Sequence, residues 1–439
     1  MRLILAVFFV VQLNQVHNEV YVGQDYGTHA AIMEEIRASK GGKWFAMDST
    51  NRPAIYWLAS LCKDFTRDRY TYELSSIFWI ILGVPALALL HRSLLSAIRA
   101  PELRIGLVAL VAFLPAHLVA GVVFAGDIGV ALPFALGAWA LARSLEATAR
   151  GPSLGFAALA GLALAAGTFV KVSFLMLPVA TVATILLVWR WGRIDAARAG
   201  LIALLAVLFP LVVGGALYLR NARELSRAEG RHVFFREGSP EVNWRTLLWF
   251  RGKDAFVLNA PTYWAKNPED QLILVQPNVF SYPALLHLGV FTDVLNYAPK
   301  GGYLAATPRP EPQQSYAVLA VRNGMLWSAL AAAAWLALGL LVLGSLFKPA
   351  LAPPTGLAVW AVQGAVWFLP IMLSLPYLRS AYTWGYWLPR LVVPGLWAAA
   401  FVSGWFLDRV LPSRTRWWYR GALALALLQT WWHLRSMWF

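Results

Sequence analysis

The chain is short of the groups that most soluble chemistry uses. Its 439 residues hold one cysteine, Cys62, so an internal disulfide and a thiolate metal cluster are both excluded. Only 13% of the residues are charged, and acidic side chains are scarcer than basic ones, 22 against 37. No glycine-rich phosphate loop, Walker motif or Gly-x-Ser-x-Gly elbow is present, which removes the P-loop and serine-hydrolase classes. No heptad, blade or solenoid repeat recurs, so repeat architectures are excluded too.

What is abundant is apolar. Hydrophobic residues make up 59% of the chain, tryptophan alone contributes 22, and the mean hydropathy is +0.57. Soluble domains average about 45–50% apolar residues, so the composition is that of an all-α polytopic membrane protein folded as a single domain over 1–439. The net charge of +15 is not a nucleic-acid signature. The arginines gather at the ends of apolar runs rather than in a basic stripe, so nucleic acid is not expected as a partner.

Runs of about 17–25 mostly apolar residues mark spans. They are expected at 2–16, 74–92, 104–124, 127–146, 153–170, 172–190, 199–219, 322–346, 357–378, 389–408 and 421–437, eleven in all. The first, with its charged start and short apolar core, resembles a signal peptide, but no small-residue cleavage site follows and it is read as an uncleaved span. Arg92, Arg99, Arg104, Arg143, Arg150, Arg190, Arg193, Arg198, Lys348, Arg409, Arg414, Arg416 and Arg420 all fall on one side. By the positive-inside rule that side is the cytoplasm, with the N-terminus cytoplasmic and the C-terminus outside a plasma (inner) membrane. The opposite side then carries two large extracytoplasmic loops, 17–73 and 221–323, and the turns at Gly126-Asp127 and Val170-Lys171-Val172.

The first loop holds Asp25, His29, Glu34, Glu35 and Asp48, a dense acidic supply for this chain. Ala30 to Ser39 has helical character, and Pro53 to Leu61 is apolar and aromatic enough to lie on a bilayer face. Asp25 and His29, four apart, share one face if the helix starts at about Tyr26; a metal-ligand pair is then open, though two residues are too few to specify a site, and the alternative is His29 as a polar loop residue. A charge at the bilayer centre costs about 2.5–3.5 kcal/mol, so each ionisable group near a span needs an account. Asp127 is either the N-cap of the fourth span or a functional carboxylate. Lys171 either snorkels to the outer interface or holds an anion. Arg390 opens the tenth span on the outer side, where the positive-inside rule gives no reason for a cation. His117 reads as a satisfied core residue and Cys62 as structural.

The order of these elements resembles the GT-C superfamily of polyprenyl-phosphate-sugar glycosyltransferases, which includes protein O-mannosyltransferases and bacterial aminoarabinose transferases. Gly23-Gln24-Asp25-Tyr26-Gly27-Thr28-His29 is similar to the family's acidic motif in the first outer loop. Asn51-Arg52-Pro53-Ala54-Ile55-Tyr56-Trp57-Leu58 resembles its Pro-aromatic segment, with Ala54 in place of a family proline. Gly126-Asp127 falls on the second acidic position, Lys171 on the family lysine, and Tyr218-Leu219-Arg220-Asn221 on the motif after the seventh span. Tyr386-Trp387-Leu388-Pro389-Arg390 with Pro394 resembles the late element. The second outer loop, around Asp293, has no counterpart.

The resemblance implies an inverting transfer of a sugar from a polyprenyl-phosphate donor to a glycan, lipid or protein acceptor at the extracytoplasmic face. Asp25 is then the general base, and Asp127 orients the acceptor or holds a metal. Lys171, Arg220 and Arg390 bind the donor phosphate. His29, Tyr56, Trp57 and Tyr386, with Trp384 and Trp387 beside it, line the substrate groove. No cofactor is required; a divalent metal, if present, would draw on Asp25, His29 and Asp127. The alternatives are a polysaccharide or lipid transporter and a non-catalytic subunit of envelope-glycan assembly. A transporter predicts internal repeats and ionisable groups at mid-membrane, against the one-sided placement here.

Overall fold

A computed structural model describes residues 1–18, 26–38, 53–65, 68–114, 117–118, 127–229, 264–266, 272–274, 311–374 and 393–410. The described chain is helical except for β1 (Trp264–Lys266) and β2 (Leu272–Leu274), a three-residue antiparallel pair with Ala265 opposite Ile273. The helices are α1 (Arg2–Asn18), α2 (Tyr26–Ala38), α3 (Pro53–Phe65), α4 (Asp68–Leu94), α5 (Pro101–Phe113) and α6 (Ala131–Glu146). There follow α7 (Arg150–Val170), α8 (Leu177–Arg190), α9 (Ala196–Glu229), α10 (Glu311–Phe347), α11 (Thr355–Ser374) and α12 (Val393–Val410). Short 3₁₀ turns at Asp127–Val130 and Val172–Met176 lead into α6 and α8.

Every expected span but the last overlaps one of these helices; 421–437 lies outside the described residues. Among the described residues, five helical segments are long and apolar enough to cross a membrane: 74–94, 150–170, 173–190, 196–220 and 326–347. Two boundaries move. Helix α9 runs on to Glu229 and α10 begins at Glu311, so both borders of the second loop are helical. In the first loop, the expected helical stretches become α2 and α3.

The bundle is apolar on its outer surface as well as in its core. Leu326, Leu336, Leu340 and Phe347 along α10 are exposed, the arrangement that lipid tails favour. The interior is mainly aliphatic and carries a set of large aromatic rings. Trp360, Trp367 and Trp397 are fully buried, and Phe134 meets both Trp360 and Trp367 edge-on at 5.6 and 5.7 Å. Helices approach closely where side chains are small, as expected when no hydrophobic force drives association in lipid. Gly161 of α7 lies against the Leu205 carbonyl and the Ala206 backbone of α9, so any side chain there would strike main chain.

Candidate functional site

The two ends of the bundle differ in kind. At one end, the links between successive helices are tied to each other by side chains that bond main-chain carbonyls and amides. Asp408 near the end of α12 accepts the backbone N–H groups of Arg99 and Ala100, at 2.9 and 3.2 Å, and so holds the link just before α5. Arg198 donates to the Ser144 carbonyl at 3.1 Å and the Ser153 hydroxyl at 3.0 Å, and also reaches the Ala147 carbonyl. Arg193 donates to the Pro353 carbonyl at 3.0 Å and the Thr355 hydroxyl at 2.7 Å. Arg190 bonds the Leu346 carbonyl at 2.7 Å. Partial burial lowers the Arg193 pKa, and the Glu146 carboxylate nearby opposes that shift. These are the arginine-bearing links that the sequence placed on a single side, and the structure brings them to a single end.

The opposite end is built from α3, the Asp127 turn and the last turn of α7. The Asp127–Val130 turn packs on α4, α6 and α7, and α3 packs on α4 and α7. Trp79 of α4 holds the turn down: a Cβ on Gly129 would sit 2.6 Å from its ring. Asp127 begins that 3₁₀ turn, and the residue capping α6 is Val130, with no side-chain cap bond.

Lys171 terminates α7 in an extended conformation, φ −150° and ψ 139°, and is only 7% exposed. Its N–H closes the helix onto the Gly167 carbonyl at 2.9 Å, and its carbonyl accepts from the Phe174 N–H at 3.3 Å. The Phe174 ring lies on Gly167 and meets Trp367 edge-on at 5.0 Å, which anchors the reversal. A buried ammonium at a chain reversal is not a side chain snorkelling to water. It is buried at the end of α7.

Arg220 lies on α9. That helix passes the α7 reversal at Gly214, where a Cβ would come 2.9 Å from Thr168. At about 1.5 Å per residue, Arg220 stands roughly 9 Å further out, and it is exposed. Lys171 and Arg220 thus share an end but not a depth.

Tyr56 is 1% exposed and packs in the main core, while Trp57 packs partly buried against it. Both belong to α3, whose terminal residues are tied to α2: Arg37 bonds Asp64 at 2.7 Å, and Lys63 pairs with Glu34. Glu34 and Glu35 are exposed, as expected for a solvated helix face. His29 falls within α2. Asp25, Tyr386, Trp384, Trp387 and Arg390 lie outside the described residues. Among the described residues no three His, Cys, Asp or Glu side chains stand together as a metal site.

Sequence reasoning passed over Asp408, Arg193 and Arg198 as individuals, treating them only as charges. Their bonds to main-chain groups of distant links leave no local pattern to read.

No family model matches the chain, and no curated protein matches it. Solved structures do. The crystal structure of ArnT from Cupriavidus metallidurans bound to undecaprenyl phosphate is similar over 97% of this chain and 62% of that one, at 15% identity and a TM-score of 0.51. ArnT in the apo state is similar over 92% of this chain and 76% of that one, at 16% identity and a TM-score of 0.39. This chain therefore spans less than two thirds of the length of the lipid-bound ArnT it matches. At such identity the likeness is one of architecture: the chain is a helical membrane protein with an ArnT-like fold.

Proposed function

We propose that this chain is a membrane glycosyltransferase that moves a sugar from a polyprenyl-phosphate donor to an acceptor at the extracytoplasmic face. The observation that carries the reading is the burial of Lys171 at the end of α7, a helix that also packs on the Asp127 turn, in a chain whose architecture resembles lipid-bound ArnT over 97% of its length. A buried lysine suits an anionic leaving group, because a phosphate departs already stabilised and asks for cations rather than a general acid. Lys171 binds the donor phosphate, with Arg220 and Arg390 as the further cations assigned to it.

The reaction is a single displacement. The acceptor hydroxyl oxygen attacks the anomeric carbon, the carbon–oxygen bond to phosphate breaks, and the bonding pair leaves with the polyprenyl phosphate. The hydroxyl proton passes to the Asp25 carboxylate, so configuration inverts. Asp127 orients the acceptor, and His29, Tyr56, Trp57 and Tyr386 line the groove. The arginine-rich end is the cytoplasmic one by the positive-inside rule, and the Lys171 end faces outward.

The test uses purified protein in nanodiscs. Binding of undecaprenyl phosphate is measured first, and then the release of polyprenyl phosphate from a panel of polyprenyl-phosphate sugars, each with glycan, lipid and peptide acceptors. Acceptor-dependent release is the expected result. Lipid movement between leaflets without release would instead favour the transporter.

A further inference from the structure

The turns that carry Asp127 and Lys171 are separate in the chain, yet one side chain packs on the anchor of each. Trp367 of α11 is fully buried. Its indole meets the Phe174 ring edge-on at 5.0 Å and 81°, and the Phe134 ring edge-on at 5.7 Å and 77°. Both phenyl rings are fully buried as well. Phe174 belongs to the Val172–Met176 turn that follows Lys171, and its ring fills the notch left by Gly167, one turn before the lysine. Phe134 lies in the first turn of α6, directly after the Asp127–Val130 turn.

Neighbouring contacts fix where the indole sits. One turn earlier on α11, Gln363 Nε2 donates to the Thr181 hydroxyl of α8 at 3.4 Å, so α11 is bonded to the helix that leaves the Lys171 turn. A Cβ on Gly364 would strike Ala398, which brings α12 close against α11. The reversal has a second wedge in Leu175, which lies where a Cβ on Gly214 of α9 would go. In lipid no hydrophobic force drives helices together, so close shape contacts of this kind decide where a helix end lies. Edge-on rings add orientation, because a positive ring edge is drawn to the negative face of its neighbour. Helix α7 also packs on the Asp127 turn, but it ends at Val170. The segment after Lys171 takes its place from Phe174, and Phe174 leans on Trp367.

We propose that Trp367 is a positioning residue: it couples the Lys171 reversal to the start of α6 and so sets the spacing between the donor-phosphate cation and the Asp127 turn. The inference rests on the glycosyl-transfer reading and adds to it a fully buried residue that acts through Phe134 and Phe174. Trp360, two turns earlier on α11, is the matched control. It is equally buried and meets Phe134 and Phe401 edge-on at 5.6 and 6.0 Å, with no ring contact to Phe174 among the described residues.

Trp367→Leu, Trp367→Phe and Trp360→Leu are compared with the wild type in nanodiscs. Both leucine variants remove the same volume from the core and should lower the melting temperature alike. Trp367→Leu should also weaken undecaprenyl phosphate binding by about 10-fold and lower kcat by about 10²-fold, the scale of a small misplacement of reacting groups. Trp367→Phe should recover most of both, and Trp360→Leu should keep lipid affinity to within about threefold. Equal losses of lipid affinity in the two leucine variants, or unchanged affinity and kcat in folded Trp367→Leu, overturn the assignment. Should Trp367→Leu not fold, Trp367→Phe against Trp360→Phe carries the test, with a smaller loss in the first expected and equal affinities overturning it. A second arm does not depend on activity. Amide hydrogen exchange should quicken at 172–176 and 127–134 in Trp367→Leu, but only at 127–134 in Trp360→Leu; equal rates at 172–176 in the two variants overturn the coupling. A wild type that binds no undecaprenyl phosphate would sink the functional reading, and the exchange comparison would still decide whether Trp367 holds both turns.

Discussion

The two ends of this bundle are made from the same helices and use opposite means. At the arginine-rich end, Arg190, Arg193, Arg198 and Asp408 are spent on main-chain groups of neighbouring links, with donor–acceptor distances of 2.7–3.2 Å in the bonds cited above. At the other end the reversals are held by rings, Trp79 over Gly129 and Phe174 over Gly167, and the buried cation Lys171 sits at the turn itself. Charge at the first end is structural cement. At the second, the described charge at the α7 reversal is a buried lysine at a helix end.

The sharpest way to break this contrast is the carboxylate expected to take the proton. Asp25→Asn keeps size and hydrogen-bonding shape, so the protein should fold and bind donor lipid while transfer falls ~10²–10⁴-fold. Near-normal turnover in the folded variant would move the role to Asp127. Next in size are the cations. Lys171→Ala and Arg390→Ala should each weaken undecaprenyl phosphate binding by about 2–5 kcal/mol, measured by titration in nanodiscs. Arg198→Ala, equally basic but engaged with Ser144, Ala147 and Ser153, should leave lipid binding unchanged; equal losses at both ends would erase the distinction.

A smaller effect belongs to the capped end. Asp408→Ala removes the acceptor for two backbone N–H groups just before α5 and should cost about 0.5–2 kcal/mol in an unfolding titration, with turnover per folded molecule intact. The smallest effect tests orientation. Cys62 on α3 is 6% exposed, and burial raises its thiol pKa, with a backbone hydrogen bond acting against that. A membrane-impermeant maleimide should react with it only slowly at neutral pH, faster as pH rises and the thiolate forms, and only from outside the cell. Reaction from the cytoplasmic side alone would invert the whole assignment of ends.

Much of this was legible beforehand because spans are long and lipid is intolerant. A run such as 150–170 has few ways to lie other than across the bilayer, so the alternation of loops, and with it the gathering of arginines at one end, follows from counting apolar residues. Lys171 stood out as a cation breaking an apolar stretch. Asp127 was visible as a charge at a span boundary, but its 3₁₀ turn was not, because that conformation depends on Trp79 covering Gly129 from another helix.

By itself, the sequence determined the class of the protein, the approximate spans and the sidedness of charge, since each depends on the local free energy of placing a side chain in lipid. Only the tertiary structure decided which charges are already engaged. Arg198 and Lys171 look alike along the chain, yet one bonds the ends of α6 and α7 while the other closes α7 in a buried turn. The same holds for Gln12 and His117, which are buried against residues more than a hundred positions away. Whether a polar atom is satisfied depends on what packs against it, and in this bundle that is set by helices from the other end of the chain.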